Sequence, residues 1–145
     1  YGPRQRPDMA IQRFLTALLN GQEIVVYGDG SQTRDFTYVG DVVQAFRLAG
    51  EYCQSSQYSG QVFNVAGGAR VALAEVLALL PAITGRELQM RTLPAQPGDV
   101  RDTWADTASI ETTMGFAPAV TLFEGLSRQW QHISTANASE GQKNS

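Results

Sequence analysis

At 145 residues the chain has the length of one ordinary domain, enough to bury a core without disulfides or metal. With 43% hydrophobic residues, 17% charged residues and a formal charge of −3, it reads as a soluble globular protein with no electrostatic case for binding DNA or RNA. A single cysteine, Cys53, excludes an internal disulfide framework and a cysteine metal cluster, and suits a reducing cytoplasm, with the thiol expected in apolar surroundings. No run approaches membrane-spanning length and no basic, apolar, small-residue leader opens the chain, which starts at Tyr1-Gly2-Pro3 as though cut from something longer.

Pro7 and Asp8 precede Ile11, Phe14, Leu15, Leu18 and Leu19, the spacing of one helical face, with Asp8 as the expected N-cap and Gly21 as the stop. Residues 23–27 form a short β-branched run, 28–32 carry turn chemistry, and 33–38 alternate as a second strand. Asp41 is expected to cap a helix with Val42, Ala45, Phe46 and Ala49 on its buried face, ending before a Ser/Gln-rich loop at 53–60; residues 61–65 read as a strand. Leu73, Val76, Leu77 and Leu80 are helical in spacing. Pro81 removes a backbone donor there at a cost of about 3 kcal/mol in a straight helix, so a kink or early stop is expected.

Residues 87–93 read as a strand and 94–99 as a loop. Asp106 can cap a short helix through Ile110 and Met114, stopped by Gly115. Thr121 and Glu124 have capping-box spacing, followed by a stripe of Leu122, Leu126, Trp130 and Ile133. Residues 134–145 are too polar to offset the entropy of ordering them, so the expected organisation is one domain over 1–133 and a disordered tail over 134–145. Helices alternating with short strands place the chain in the α/β (α+β) class, a small sheet covered by helices.

The only lysine is Lys143, in the polar tail, so a Tyr-x-x-x-Lys pair, a Schiff base or a phosphate-loop lysine within the fold is excluded. Gly28 and Gly30 lack the third glycine of G-x-G-x-x-G, and Gly67-Gly68 leads into Arg70 and Val71 without dinucleotide-turn spacing. The chain is therefore not expected to hold NAD by itself. His132 is the only histidine, so a metal site or a His-based triad lacks partners and a surface position is expected. The acids Asp29, Asp35, Asp99, Asp102 and Asp106 could be imagined as a hydrolytic pair, but Asp35 reads better as a structural acceptor and Asp106 as a helix cap.

Tyr1-Gly2-Pro3-Arg4, the run from Gly28-Asp29-Gly30-Ser31-Gln32-Thr33-Arg34-Asp35-Phe36 to Val39, Asn64-Val65, Pro97-Gly98-Asp99 through Ala105-Asp106, and Gly115-Phe116-x-Pro118 occur in a telling order. They resemble the C-terminal part of extended short-chain dehydrogenase/reductase NDP-sugar epimerases and dehydratases. Arg6-Pro7-Asp8-Met9 and Gln96-Pro97-Gly98-Asp99-Val100 look most like UDP-glucuronate 4-epimerases. The glycine-to-phenylalanine run is shared with UDP-glucose 4-epimerases and dTDP-glucose dehydratases. The resemblance implies the substrate-binding portion of a Rossmann-type enzyme whose other half carries the NAD turn and the Tyr-x-x-x-Lys base; in such enzymes NAD takes a hydride from sugar C4 and returns it.

Carried over by position, the resemblance makes Arg34 a ligand of the diphosphate, a task suited to a permanently charged two-pronged donor. Without it, Arg34 reads as a solvated strand arginine or a partner of Asp35. Val25 and Tyr27 match the base pocket, and otherwise read as core. Asp99 matches an acceptor for ribose hydroxyls, and otherwise a turn residue after Pro97-Gly98. Gln96 stands where many relatives have a second diphosphate arginine, one positive charge fewer. Arg6 matches a sugar-proximal arginine, and otherwise a loop residue at a helix start. Gly40 replaces the acid usual in V-[DE]-D, at small expected cost.

The implied function is the substrate-binding domain of an NAD-dependent UDP-sugar 4-epimerase or related dehydratase, inactive alone. UDP- or dTDP-sugars are the expected ligands, held weakly, and the absent Rossmann domain is the expected partner. The rival reading is a free-standing binding module, derived from such an enzyme, that pairs weakly with itself.

Overall fold

The computed structural model describes residues 1–54 and 60–141, with side chains as far as residue 138. Helix α1 (Ala10–Leu19) buries Ile11, Phe14, Leu15 and Leu18 of the predicted face and leaves Leu19 only half-buried at its end. Its start differs from expectation: the N-cap is Met9, and Asp8 instead pairs with Arg6 at 3.2 Å in solvent. An extended backbone at Met9, φ −77° and ψ 143°, makes the turn into the helix without a side-chain cap.

Strand β1 (Ile24–Tyr27) pairs in parallel with β4 (Met90–Leu93), Ile24 opposite Met90 and Tyr27 opposite Leu93. Strand β2 (Thr33–Asp35) pairs antiparallel with β3 (Arg70–Ala72), giving two small sheets among the described residues. β3 was not visible in the sequence, and it runs directly into α3 (Leu73–Thr84). The glycine turn between β1 and β2 is tied to the start of α3, whose Leu73 and Ala74 amides donate to the Gln32 and Gly30 carbonyls at 3.0 and 2.9 Å. Glu75 accepts the Ala72 N–H at 3.0 Å. Helix α3 continues through Pro81 to Gly85, which closes it at φ 66°. Burial of Val76, Leu77 and Leu80 outweighs the proline's local preference, as tertiary packing commonly does.

Helix α5 (Leu122–Gly141) lies over α1 and α3, with Leu126 fully buried and Leu122, Trp130 and Ile133 against the same cluster, as the spacing predicts. Only half of the capping box forms: Thr121 Oγ1 accepts the Glu124 N–H at 3.3 Å, while the Glu124 carboxylate turns to Arg128 at 2.6 Å. The helix runs past Ile133 to Gly141; residues 142–145 lie outside the described residues. Ser134 and Thr135 turn their hydroxyls back onto the Trp130 and Gln131 carbonyls, and the helix end borders α1 through Ala136 and Asn137 beside Thr16 and Asn20. Each side chain buried in this main core contributes about 1.5–3 kcal/mol relative to exposure.

Helix α2 (Val39–Tyr52) and α4 (Ala108–Met114) enclose a second, smaller core of Ala45, Ile110 and Phe116. Gly115 stops α4 in the left-handed region, φ 65°, as expected. Asp106 accepts the Ala108 N–H at 2.9 Å at its start. Four expectations fail here. The N-cap of α2 is Tyr38, and Asp41, 5% exposed, instead accepts the Ala119 and Val120 amides at 3.1 and 3.4 Å. Phe46 is 74% exposed, since the inward face of α2 is Asp41, Ala45 and Leu48. Cys53, at the helix C-cap, is exposed rather than buried. Residues 61–65 form no strand ladder among the described residues; residues 55–59 of the predicted loop lie outside the described residues. Gly40 sits flush on the Tyr38 ring, where a Cβ would come within 2.8 Å.

Candidate functional site

Strand alternation builds the site. Ile24 and Val26 turn into the main core, which leaves Val25 and Tyr27 half-buried on the opposite face. There they line a cleft of about 230 Å³ together with Arg13, Gln32, Arg34 and Asp99. Gln32 is fixed by its side-chain amide, which donates to the Tyr27 carbonyl at 2.9 Å.

Arg34 projects from β2 at the edge of this cleft. Its Nη1 donates to the carbonyls of Thr33 and Arg101 at 2.8 and 3.1 Å, and its Nη2 to Asp99 Oδ1 at 2.7 Å. The pair joins residues 65 apart in sequence. Arg34 does not pair with Asp35, whose Oδ1 accepts the Gly67 N–H at 2.6 Å and whose Oδ2 is buried without a partner among the described residues. Asp99 follows Gly98, φ 84°, in a turn closed by its own N–H on the Gln96 carbonyl at 3.2 Å, so it is both a turn residue and the partner of Arg34. A second tie holds the loop: Thr33 Oγ1 donates to Asp102 Oδ1 at 2.5 Å, and this hydroxyl keeps the Asp102 carboxyl below the ordinary range. Across the turn, Ser31 donates its hydroxyl and its N–H to Asp29, lowering that pKa also.

Gln96 borders a second cleft of about 240 Å³, which shares Tyr27, Gln32 and Asp99 with the first and also meets Arg101. The structure thus gathers Val25, Tyr27, Arg34, Asp99 and Gln96 around two adjoining clefts. Arg6 is not brought there. It stands in solvent, its side chain 75% exposed, between Asp8 and the Met9 sulfur. The sequence reading did not single out Arg13, Gln32 or Arg101; Gln32 lay within the quoted motif, whereas Arg13 carried no signal beyond its place on the polar side of α1.

The arrangement suits an anionic ligand with a flat apolar part: a guanidinium and a second arginine at one side, a carboxylate acceptor beside them, and Val25 and Tyr27 on the floor. The turn after β1 delivers the chain to another strand, whereas a dinucleotide turn delivers it to a helix N-terminus. Among the described residues, no three His, Cys, Asp or Glu side chains are grouped to hold a metal ion. His132 is exposed on α5, and no described helix is long and apolar enough to cross a membrane.

Residues 1–66 match the model of the NAD dependent epimerase/dehydratase family. A probable UDP-glucuronate 4-epimerase of Rhizobium meliloti is 36% identical over 143 residues, covering 88% of this chain and 42% of its own length. The chain belongs with the NDP-sugar epimerases and dehydratases. A dTDP-glucose 4,6-dehydratase of Streptomyces griseus is 34% identical over 91% of the chain and 40% of its own length. The solved UDP-glucuronic acid 4-epimerase of Bacillus cereus, in complex with UDP-glucuronic acid and NAD, superposes with a TM-score of 0.85 at 33% identity, over 94% of this chain and 43% of that one. The chain therefore spans about two fifths of the length of these epimerases and dehydratases.

Proposed function

We propose that this chain is the C-terminal, nucleotide-sugar-binding domain of an NAD-dependent UDP-sugar 4-epimerase of the cytoplasm. The observation that carries this is the convergence of Arg34 and Asp99 at 2.7 Å on the rim of the cleft floored by Val25 and Tyr27. An exposed Arg–Asp pair contributes little to stability, so its partners are free to exchange for a ligand. The diphosphate displaces Asp99 from Arg34, and the released carboxylate accepts from the ribose hydroxyls. Tyr27 packs beside the pyrimidine while backbone amides around Val25 read its edge. Gln96, neutral where relatives carry a charge, offers an amide donor on the far side of Asp99. Arg6 has no role in this cleft as it stands.

The domain has no Tyr-x-x-x-Lys pair and does not turn over sugar nucleotides alone. Binding is millimolar, because a site shared with another half lacks that half's contacts, and each missing hydrogen bond to a charged group costs about 1.5–3 kcal/mol. Saturation-transfer NMR with UDP, UMP and uridine tests the reading: UDP gives the strongest transfer, and equal transfer from uridine contradicts the diphosphate role of Arg34. Turnover of any UDP- or dTDP-sugar by the purified chain overturns the account. The exposed Val43 and Phe46 favour one second reading, a self-pairing module, which light scattering on the isolated chain distinguishes.

A further inference from the structure

The cleft that holds Arg34 and Asp99 has a second arginine at its other end. It shares Tyr27, Gln32 and Asp99 with the cleft that Gln96 borders, and it shares Arg13, Phe14 and Val25 with a third cleft of about 290 Å³. Val25 and Tyr27 therefore mark its two ends, about 6.6 Å apart along β1. Phe14 is 6% exposed and turns into the main core, and its neighbour Arg13 lies about 100° round α1, exposed at the rim. Ala10, one turn earlier on the same side, lines the cleft with a methyl group alone, which leaves the space beside the arginine open. Arg13 makes no ion pair among the described residues. Glu23, the acid of the third cleft, is taken by Arg91 at 3.1 Å. Arg34 is thus engaged at one end, and Arg13 is uncommitted at the other. A diphosphate drawn to Arg34, with its ribose at Asp99, carries the base toward Val25 and Arg13. The ligand is planar and uncharged there, and a guanidinium meets such a ring face to face.

We infer that Arg13 roofs the base: its guanidinium lies flat on the pyrimidine and holds the ring against Val25 and Tyr27. The inference rests on the nucleotide reading of this cleft and deepens it, by naming the side chain that closes the base end. Stacking recognises the face of a ring and not its edge. Arg13 therefore sets how tightly the base is held and leaves the choice of base to the backbone of β1.

The test titrates UDP, uridine and inorganic pyrophosphate into the full chain and into its Arg13→Ala, Arg13→Lys and Arg34→Ala variants, followed by amide shifts. Arg13→Ala is expected to weaken UDP and uridine by the same factor, about fivefold, and to leave pyrophosphate unchanged. Arg34→Ala shows the converse, weakening UDP and pyrophosphate and sparing uridine. Arg13→Lys keeps the charge without the plane, and binds uridine within about twofold of the alanine variant. In the parent chain, transferred NOEs connect the Arg13 δ protons to uracil H5 and H6. Because Arg13 is exposed on its helix, both of its variants keep the parent melting temperature. The roof is overturned if Arg13→Ala binds uridine as the parent does, if it loses pyrophosphate by the same factor as UDP, or if the lysine variant matches the parent. Any of these, with Arg34→Ala still losing pyrophosphate, removes the roof and leaves the nucleotide site intact. Absence of UDP shifts in the cleft overturns both.

Discussion

Replacing Arg34 with alanine separates the role of this side chain in the fold from its role in the cleft. In the free chain it makes an ion pair with Asp99 and donates to the Thr33 and Arg101 carbonyls. The guanidinium side chain is 28% exposed and Asp99 47% exposed, so the pair contributes about 0.2–1 kcal/mol after solvent screening, and water replaces the donor at the carbonyls. Loss of stability should therefore stay near 1 kcal/mol. The loss in binding is larger. A millimolar ligand is held by about −4.1 kcal/mol, and removing a charge-assisted contact to phosphate costs about 1.5–3 kcal/mol. That leaves about −2.6 to −1.1 kcal/mol, a Kd between about 10 and 160 mM. Two-dimensional NMR with UDP at 10 mM, alongside urea unfolding, measures both quantities on one sample. Arg6→Ala is the control, since Arg6 lies outside both clefts. An Arg34→Ala chain that binds UDP as well as the parent, or an Arg6 variant that loses as much, contradicts the diphosphate role of Arg34.

Asp41→Ala leaves the Ala119 and Val120 amides without their buried acceptor and should cost about 2–3 kcal/mol in urea unfolding, with Asp41→Asn losing about half as much; a loss under 0.5 kcal/mol from the alanine variant contradicts the bridging role. Thr33→Val should raise the Asp102 carboxyl toward its ordinary range, as read by carboxyl chemical shifts against pH. A folded-state pKa held low adds stability above the unfolded value, which is lost as pH falls through the folded value. The tie between β2 and the following loop should thus loosen only below about pH 4, and an Asp102 that titrates normally in the parent chain contradicts the Thr33 hydrogen bond.

Elements with one apolar stripe and one polar face were legible in the sequence. α1 and α5 show that pattern and turn most of the residues it indicates to the main core, Leu19 excepted. α2 carries apolar residues on both sides of its polar stripe of Gln44, Arg47 and Glu51, so spacing alone does not say whether Phe46 or Leu48 faces inward. The three-residue strand β3 is too short for periodicity, and its pairing with β2 depends on a turn and a helix start far away in sequence. Residues 61–65 alternate in burial as a strand would, with Phe63 and Val65 against the second core, but pair with no other described strand. The polar residues from Ser134 to Gly141 join a helix because it continues an anchored one, and Ser134 and Thr135 satisfy their hydroxyls on its own carbonyls. As for the site, β1 alternation could have placed Val25 and Tyr27 on one face, but nothing in the spacing brings Arg34 to Asp99. The resemblance assigned both to one ligand without pairing them, and it also suggested Arg6, which the fold leaves in solvent.

The most direct measurement is a heteronuclear NMR titration of the isolated chain with UDP. Saturable amide shifts centred on Tyr27, Arg34 and Asp99, with the Arg34 side-chain signals moving as Asp99 is released, are the predicted result. Shifts confined to α5 or to the Arg6 loop, or none at saturating UDP, would contradict the assignment of this cleft to a nucleotide diphosphate.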